Sequence, residues 1–539
     1  MRRDRADATA CARPVSVADG RCRPTPGGIV PKSIAHTPFM LLALPALLLG
    51  DALAATPSPM PSAALRHVDP ALSAPFRDAV AAAMRVPGGT PALAAVIVQG
   101  DAAPWIDVQG RPRADRSIEA DADTRFYIAS QTKSFIGLLA AVLDARGEFP
   151  LSRTLADVWP ALQLPAPADP RRISMADLLS HQEGLATDTL NVLAAHVREV
   201  PAAEYPALLA SEVAPRAAGF RYANIGDLIY GAALEAATGR HWRDWLDAAV
   251  LRPLALDGVS SRSSTVPEAQ LGWNHQWDGS QWRALRPKPD ALMHAAGGLL
   301  ASPNAMARWM QANLGIGDAG HALPAGAWQR SQRPIAQSKL ADGEIDCNGY
   351  SLGWYTCSYR GQTALMHPGA YDGAVSVTVL VPSARAGLSL AANSDSAMEG
   401  LQLAMIKAFI GLATGQPGET GRLRKALAGY PANVQAKAAK RRAAIEQDRA
   451  DPQWGGWRWR ADAASLRACT GRYANALYGE MRVVQDDTGL VADVGALAMR
   501  LEPAQPGLFG ASTSALEPPE PLRCDRGRIG WRGQAFVRQ

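Results

Sequence analysis

The sequence predicts an α+β protein that ends in a small antiparallel β domain. Three observations lead there. Unbroken apolar runs with strand character stand far apart in the chain, at residues 92–98, 375–379 and 388–393. Helical spacing fills the stretch between them, as in Ile136, Leu138, Leu139, Val142 and Leu143. From Trp454 onward the pattern changes to short strands separated by Gly and Pro turns. At 539 residues the chain is too long for one core, so two folded domains plus extra segments are expected.

Composition and the N-terminal segment bound the class. Hydrophobic residues make up 47% of the chain and charged residues 19%, as in globular proteins. The net charge is +5, and residues 1–54 carry seven Lys/Arg against four Asp/Glu. The remainder is close to neutral and gives no electrostatic case for nucleic acid or an anionic membrane. Residues 39–49 form an apolar run preceded by Lys32 and His36 and followed by Ala52-Leu53-Ala54. That arrangement reads as a secretory signal peptide cut after Ala54, too short to span a bilayer comfortably. The polar, Arg-rich residues 1–30 are long for the head of such a peptide, and a start near Val30 is one reading. Cleavage of the signal peptide would leave the chain periplasmic or secreted, and no transmembrane segment is expected in the mature chain.

Six cysteines fit an oxidising compartment. Cys11 and Cys22 go with the leader. The even remainder suggests two disulfides, Cys347–Cys357 and Cys469–Cys524. No C-x-x-C pair or His/Cys cluster is present, so no metal or cofactor is expected.

After a linker at residues 55–65, a helix is predicted over 75–85, then strands over 92–98 and 107–110. The helix that follows opens on Ser130-Gln131-Thr132-Lys133. Residues i and i+3 share a helix face, so Lys133 stands beside Ser130. The helix start favours an anionic oxygen there. A cation next to a serine hydroxyl is one way to activate it without histidine. Alone, the spacing is far more often that of a plain N-cap.

Over residues 173–185, Ser174 reads as an N-cap with Asp177 completing a capping box, Gly184 as the stop, and His181 as structural. Tyr222-Ala223-Asn224 precedes another helix. Trp273, Trp277 and Trp282 surround a hairpin signal, either as strand-pair packing or as an aromatic wall beside a cleft. Residues 295–303 lead into a helix through Trp309, and 350–354 reads as a strand. His367-Pro368-Gly369-Ala370 precedes the alternating strand Val375, Val377, Val379, and its glycine would allow close approach of backbone to a ligand. A helix over 398–412, a linker over 415–422 and a charged helix over 434–451 follow. A small antiparallel barrel or sandwich fills 455–539.

Taken in order, Ser130-x-x-Lys133, Tyr222-x-Asn224 and His367-x-Gly369 resemble the serine β-lactamase and penicillin-binding-protein superfamily. The resemblance is nearest to its class C-like branch, which also holds family VIII esterases and D-aminopeptidases. It covers roughly residues 75–415, including Leu178 to Leu185, Ala296-Gly297-Gly298, Leu352-Gly353-Trp354 and the strand end at Asn393. The division it suggests is a leader over 1–54, a β-lactamase-like hydrolase domain over 66–415, a linker and helix over 416–454, and a barrel-like domain over 455–539. It implies an antiparallel sheet flanked by helices, beside an all-helical region, with the site between them.

The resemblance also implies roles. Ser130 would be the acylated nucleophile. Lys133 would hold the proton network and lower the pKa of Tyr222, the general base. Asn224 would orient the substrate, and the backbone N–H groups of Ser130 and Ala370 would form the oxyanion hole. His367 and Pro368 depart from the lysine and threonine that help hold a substrate carboxylate in β-lactamases. A neutral imidazole and a residue without hydroxyl or N–H would favour esters, lactones or small amides over penicillins. The expected activity is that of an exported serine hydrolase acting on small esters, amides or cell-wall peptides. A β-lactamase proper, a D-Ala carboxypeptidase and a non-catalytic peptidoglycan-binding protein stand as alternatives.

Overall fold

The computed structural model describes residues 66–539, Glu399 excepted. The expected signal peptide, its cleavage site, Cys11, Cys22 and the linker over 55–65 lie outside the described residues.

Asp69 opens α1 (Pro70–Met84) by accepting a hydrogen bond from the Ala71 N–H at 2.8 Å. Pro70 occupies the first turn, where a missing N–H leaves no bond unmade. β1 (Ala92–Gln99) and β2 (Trp105–Gly110) pair antiparallel. α2 (Thr132–Ala145) is buried from Thr132 through Leu143, the mark of a central core helix. α3 (Met175–Leu179) carries the expected Ser174–Asp177 capping box, a feature contributing about 1 kcal/mol. α4 (Ile225–Thr238) ends on Gly239 at φ 68°, where only glycine avoids a Cβ clash at no cost. β3 (Asn274–Trp277) and β4 (Trp282–Leu285) form a hairpin, and α5 (Pro303–Asn313) follows.

A meander of β5 (Leu340–Asp342), β6 (Ile345–Tyr350), β7 (Tyr355–Tyr359), β8 (Gln362–Tyr371), β9 (Ala374–Val381) and β10 (Ala386–Ala392) then joins the first hairpin. The result, among the described residues, is an eight-stranded sheet in the order β5-β6-β7-β8-β9-β10-β1-β2. β1 lies antiparallel to β10 from Leu93↔Ala392 to Gln99↔Ala386, tying together segments almost 300 residues apart. β9 is buried at every position because both faces of the sheet are covered. Its alternate residues feed two cores. Val375, Val377, Val379 and Val381 pack with α1 and with α6 (Leu401–Ala413). Leu380 faces the other side with α2 and α5.

α7 (Glu419–Arg449) and α8 (Ala463–Cys469) lead to the last domain. There β11 (Gly471–Asn475), β12 (Gly479–Asp486), β13 (Gly489–Val494), β14 (Leu497–Gln505), β15 (Leu508–Ser512), β16 (Glu520–Asp525), β17 (Arg528–Trp531) and β18 (Gln534–Arg538) run up and down. β11 pairs with both β12 and β18, which closes the barrel and leaves no free edge. The expectation of an α+β fold with a C-terminal antiparallel β domain therefore holds, and the barrel form applies.

The sulfur atoms of Cys347 and Cys357 are bonded across β6 and β7, where the two residues face one another in register. The Cys469–Cys524 bond joins the end of α8 to β16. Three local expectations differ. The strand expected over 350–354 ends at Tyr350, because Gly353 at φ 94° turns the chain into β7. The helix expected from Val434 starts at Glu419, through Gly421, Gly429 and Pro431. Burial of Leu423, Tyr430 and Val434 against the α1/α6 core, with buried Glu419 bonded to Tyr359 and Arg422, outweighs the weak propensity there. The tryptophan hairpin is packing: the Trp277 and Trp282 rings meet at a tilt with centres 5.0 Å apart, and Arg113 covers Trp273 at 3.9 Å.

Candidate active site

Ser130 lies in a single 3-10 turn, Ala129–Gln131, that runs directly into α2. Ala129 just before it has φ 48°, a left-handed conformation costing a non-glycine residue about 1–3 kcal/mol. The turn is held in that shape by its surroundings. Ile128 donates its N–H to the Leu299 carbonyl at 3.1 Å, and its own carbonyl accepts from the Ser376 hydroxyl at 2.9 Å. Gly369 sits against the same carbonyl: a Cβ there would meet Ile128 O at 2.1 Å. Close approach at Gly369 is therefore to the Ser130 loop, which corrects the reason expected for this glycine.

Lys133, one turn along, is 1% exposed. Its Nζ lies 3.2 Å from Ser130 Oγ, 2.8 Å from Asn224 Oδ1 and 2.7 Å from the Ala296 carbonyl. Asn224 holds the N-cap position of α4 but makes no side-chain cap bond; its amide oxygen goes to Lys133 instead. Burial pushes the Lys133 amine down from its ordinary value, opposed by the charge of Asp227. Asp227, 1% exposed on α4, is pushed up by burial and drawn back by Lys133. The pair shares its charge in a dry site, where a lone ion would cost several kcal/mol.

Tyr222 lies 5.0 Å from Lys133 Nζ, measured to the ring centre, and is hydrogen-bonded to the Ser130 side chain. Its phenol is pushed up by burial, with Asp227 adding to the push and the Ser130 bond opposing it. The expected lowering of this phenol by Lys133 does not occur. Desolvation of the phenol outweighs the Lys133 amine, whose own hold on its proton is weakened by burial. The ring is 38% exposed, so water moderates the upward push.

His367 is fully buried on β8. Its Nδ1 lies 2.8 Å from the Pro368 carbonyl and its Nε2 3.1 Å from the Tyr350 hydroxyl. A carbonyl can only accept, so Nδ1 carries the proton and Nε2 accepts from Tyr350. Burial lowers the imidazole to about 3, with Lys133 adding to the shift. Both ring nitrogens are occupied, so the His367 side chain contacts Tyr350 rather than the cleft, against the expectation of a substrate-binding group. His181 is likewise buried and held neutral by burial and by Lys133, 4.7 Å from the Tyr222 ring.

The space in front of Ser130 is a cavity of about 190 Å³ lined by Tyr127, Asn224, His196, Gly297, Ala370 and Tyr371, among others. Ser130, Lys133, Tyr222, Asn224 and Ala370, from three separate stretches of sequence, thus meet at one place. Two participants escaped the sequence. Asp227 stands three residues after Asn224, on the same helix face, and an acid amid an apolar stripe was its signal. The Ala296 carbonyl is a backbone group that no residue type announces.

Residues 76–410, more than half of the chain, match the Beta-lactamase family. The chain belongs to the beta-lactamase family. Among curated relatives in this family's range, Protein flp of Staphylococcus aureus (strain COL) is 20% identical over 289 residues, 53% of this chain and 56% of that protein. The chain thus spans about half the length of those relatives. Penicillin-binding protein 4 of Amycolatopsis lactamdurans is 25% identical over 330 residues, 59% of this chain and 84% of that one. Among solved structures, an octameric penicillin-binding protein homologue from Pyrococcus abyssi shares the fold at TM-score 0.54 and 14% identity, covering 87% of this chain and 99% of that one. The beta-lactamase fold therefore accounts for the sheet, the helices around it and the placement of the cleft between them.

Proposed function

We propose that this chain is a serine hydrolase that forms an acyl-enzyme on Ser130, cleaving ester or amide bonds of small molecules or cell-wall-type peptides. The observation that carries this reading is the Lys133 amine, which reaches Ser130 Oγ, Asn224 Oδ1 and the Ala296 carbonyl at once. A neutral amine has two N–H donors and one lone pair. The amide oxygen and the carbonyl take the donors, and the lone pair is left facing the serine hydroxyl. Burial lowers this amine to about 8, so the neutral form is within easy reach near neutral pH.

In the proposed reaction Ser130 Oγ attacks the substrate carbonyl as its proton passes to Lys133. The Ser130 and Ala370 N–H groups would face the developing oxyanion. Tyr222, a neutral phenol bonded to Ser130, hands a proton to the leaving oxygen or nitrogen and regains one from Lys133. Water then cleaves the acyl-enzyme by the reverse relay. Both nitrogens of His367 are bonded inside the protein, so this side chain offers no cation to a substrate carboxylate. Short esters and neutral amides are therefore the favoured substrates over penicillins. Two disulfides fit work in an oxidising compartment outside the cytosol. No helix among the described residues is long and apolar enough to cross a membrane.

A fluorescent fluorophosphonate should label the protein, and Ser130→Ala should remove the label. p-Nitrophenyl acetate, nitrocefin and D-Ala peptides assayed in parallel should rank the ester first. Absence of both labelling and turnover would make the chain a binding protein instead. Nitrocefin turnover equal to that of the ester would make it a β-lactamase.

A further inference from the structure

A second, larger cavity adjoins the first. Its volume is about 570 Å³, and it lies between the sheet domain and the barrel, walled by Lys288 and Pro289 on one side and by Leu497, Ser512 and Glu517 on the other. Val192, His196 and Tyr371 line both cavities, so the two meet at these residues. Tyr371 Oη lies 3.4 Å from His196 Nδ1, and the two rings stack at 5.7 Å.

Lys288 stands at this junction and is only 8% exposed. Its Nζ sits 4.5 Å from the centre of the Tyr371 ring and 3.5 Å from Tyr127 Oη. Tyr127 spends its own proton on the Gly297 carbonyl, so it can only accept from the lysine. Among the described residues no carboxylate lies within ion-pair distance of Lys288. The other charged groups around the cavity are differently placed. Glu520 is bound by Arg532, Glu517 accepts from Thr513 on the barrel wall, Asp372 is exposed, and Arg286 adds a second positive charge beside Lys288. An ammonium has three donors, and among the described residues one reaches Tyr127, the Tyr371 ring faces the cation, and no further hydrogen-bond acceptor meets it. A desolvated cation in that position is costly unless an anion joins it. Burial accordingly lowers the amine to about 7, and the nearby Asp372 charge holds it up.

We propose that Lys288 anchors a carboxylate at the far end of the substrate, the rest of which runs past His196 and Tyr371 to Ser130. This rests on the hydrolase reading above and specifies its substrate class: esters or amides with an acidic group remote from the scissile bond.

Two experiments test this together. The first compares p-nitrophenyl monoesters of glutaric, adipic and suberic acid with the same esters capped as neutral methyl esters. The wild type should prefer at least one free acid over its capped partner by roughly ten- to a hundredfold, chiefly through KM, as for one hydrogen bond to a charged group. Lys288→Met should bring that ratio to about one and leave p-nitrophenyl acetate turnover within twofold. Lys288→Arg should keep part of the preference. Should Lys288→Met not fold, Lys288→Gln carries the same comparison. The second experiment titrates monomethyl adipate and monomethyl suberate calorimetrically into the full chain and into the variant, with Lys288→Met binding at least tenfold more weakly. Equal rates for acid and capped esters, or a preference that survives in Lys288→Met, would overturn the proposal. If p-nitrophenyl acetate is not hydrolysed at all, the hydrolase reading fails, while the titration still decides the carboxylate site.

Discussion

The Ser130 region and the C-terminal barrel spend burial on opposite things. Within residues 471–539 no Lys, Arg, His, Asp or Glu is fully buried, and Met481, Val483, Leu522, Ile529 and Phe536 fill the interior. The Ser130 region buries Lys133, His181, Asp227 and His367. Each of these has a proton affinity displaced by its dry surroundings. Buried apolar groups stabilise a fold at about 25 cal/mol per Å², whereas buried ionisable groups cost free energy unless paired. The barrel is therefore built for stability, and the cleft region gives up stability to keep ionisable groups buried.

Substitutions can break or sharpen that contrast. Ser130→Ala should lower kcat by at least about 10³-fold while the thermal midpoint stays within a degree or two, since one hydroxyl is lost. Near-wild-type turnover would remove Ser130 from its role. Lys133→Met should lower kcat by roughly 10²–10⁴ yet leave stability unchanged or raised, because Asp227 is free to stay protonated once its partner is gone. Strong destabilisation by Lys133→Met would mean the lysine is structural.

The barrel should answer in reverse. Phe536→Ala empties a site that is fully buried and should cost about 3–5 kcal/mol by urea denaturation. At 25 °C kcat on p-nitrophenyl acetate should stay within twofold. A folded Phe536→Ala protein without activity would show the barrel to be part of the chemistry. Replacing the cysteines should separate the two regions again. The Cys469–Cys524 bond spans 55 residues and the Cys347–Cys357 bond 10. Loop-closure entropy puts their losses at about 4 and about 3 kcal/mol, so the Ser/Ser variant of the first pair should melt lower. An equal loss from both would mean that β6–β7 depends on its bond more than its register suggests.

The smallest effect is in pH. His367 keeps its proton off in the folded protein down to about 3, against 6.5 for an ordinary histidine. The unfolded chain thus binds the extra proton between those values, and acid in that window favours unfolding by up to about 1.4 kcal/mol per pH unit. The stability advantage of the wild type over His367→Gln should therefore shrink as the pH falls from 7 to 5. An advantage that grows instead would mean a charged, paired imidazole.

Much of this molecule was written locally. The Ser174–Asp177 cap, the strand at 92–98, and the alternation in Leu490, Ala492 and Val494 follow from residue type and period, which act over a few positions. The spacing of Ser130 and Lys133 sets them on one face of a turn for the same reason. Other features depend on what lies nearby in space. The glycine- and proline-bearing start of α7 is helical because α1 and α6 cover Leu423 and Tyr430. The last four barrel strands were not legible, because closure supplies the pairing their short segments lack alone. The phenol of Tyr222 rises rather than falls because burial outweighs a neighbouring charge, and burial is a property of the packed molecule. Sequence by itself determined which groups could do chemistry and the local turns that carry them. Tertiary structure decided their protonation and partners, from the carbonyl on Lys133 to the tyrosine on His367, because desolvation and hydrogen bonding are settled only when distant segments meet.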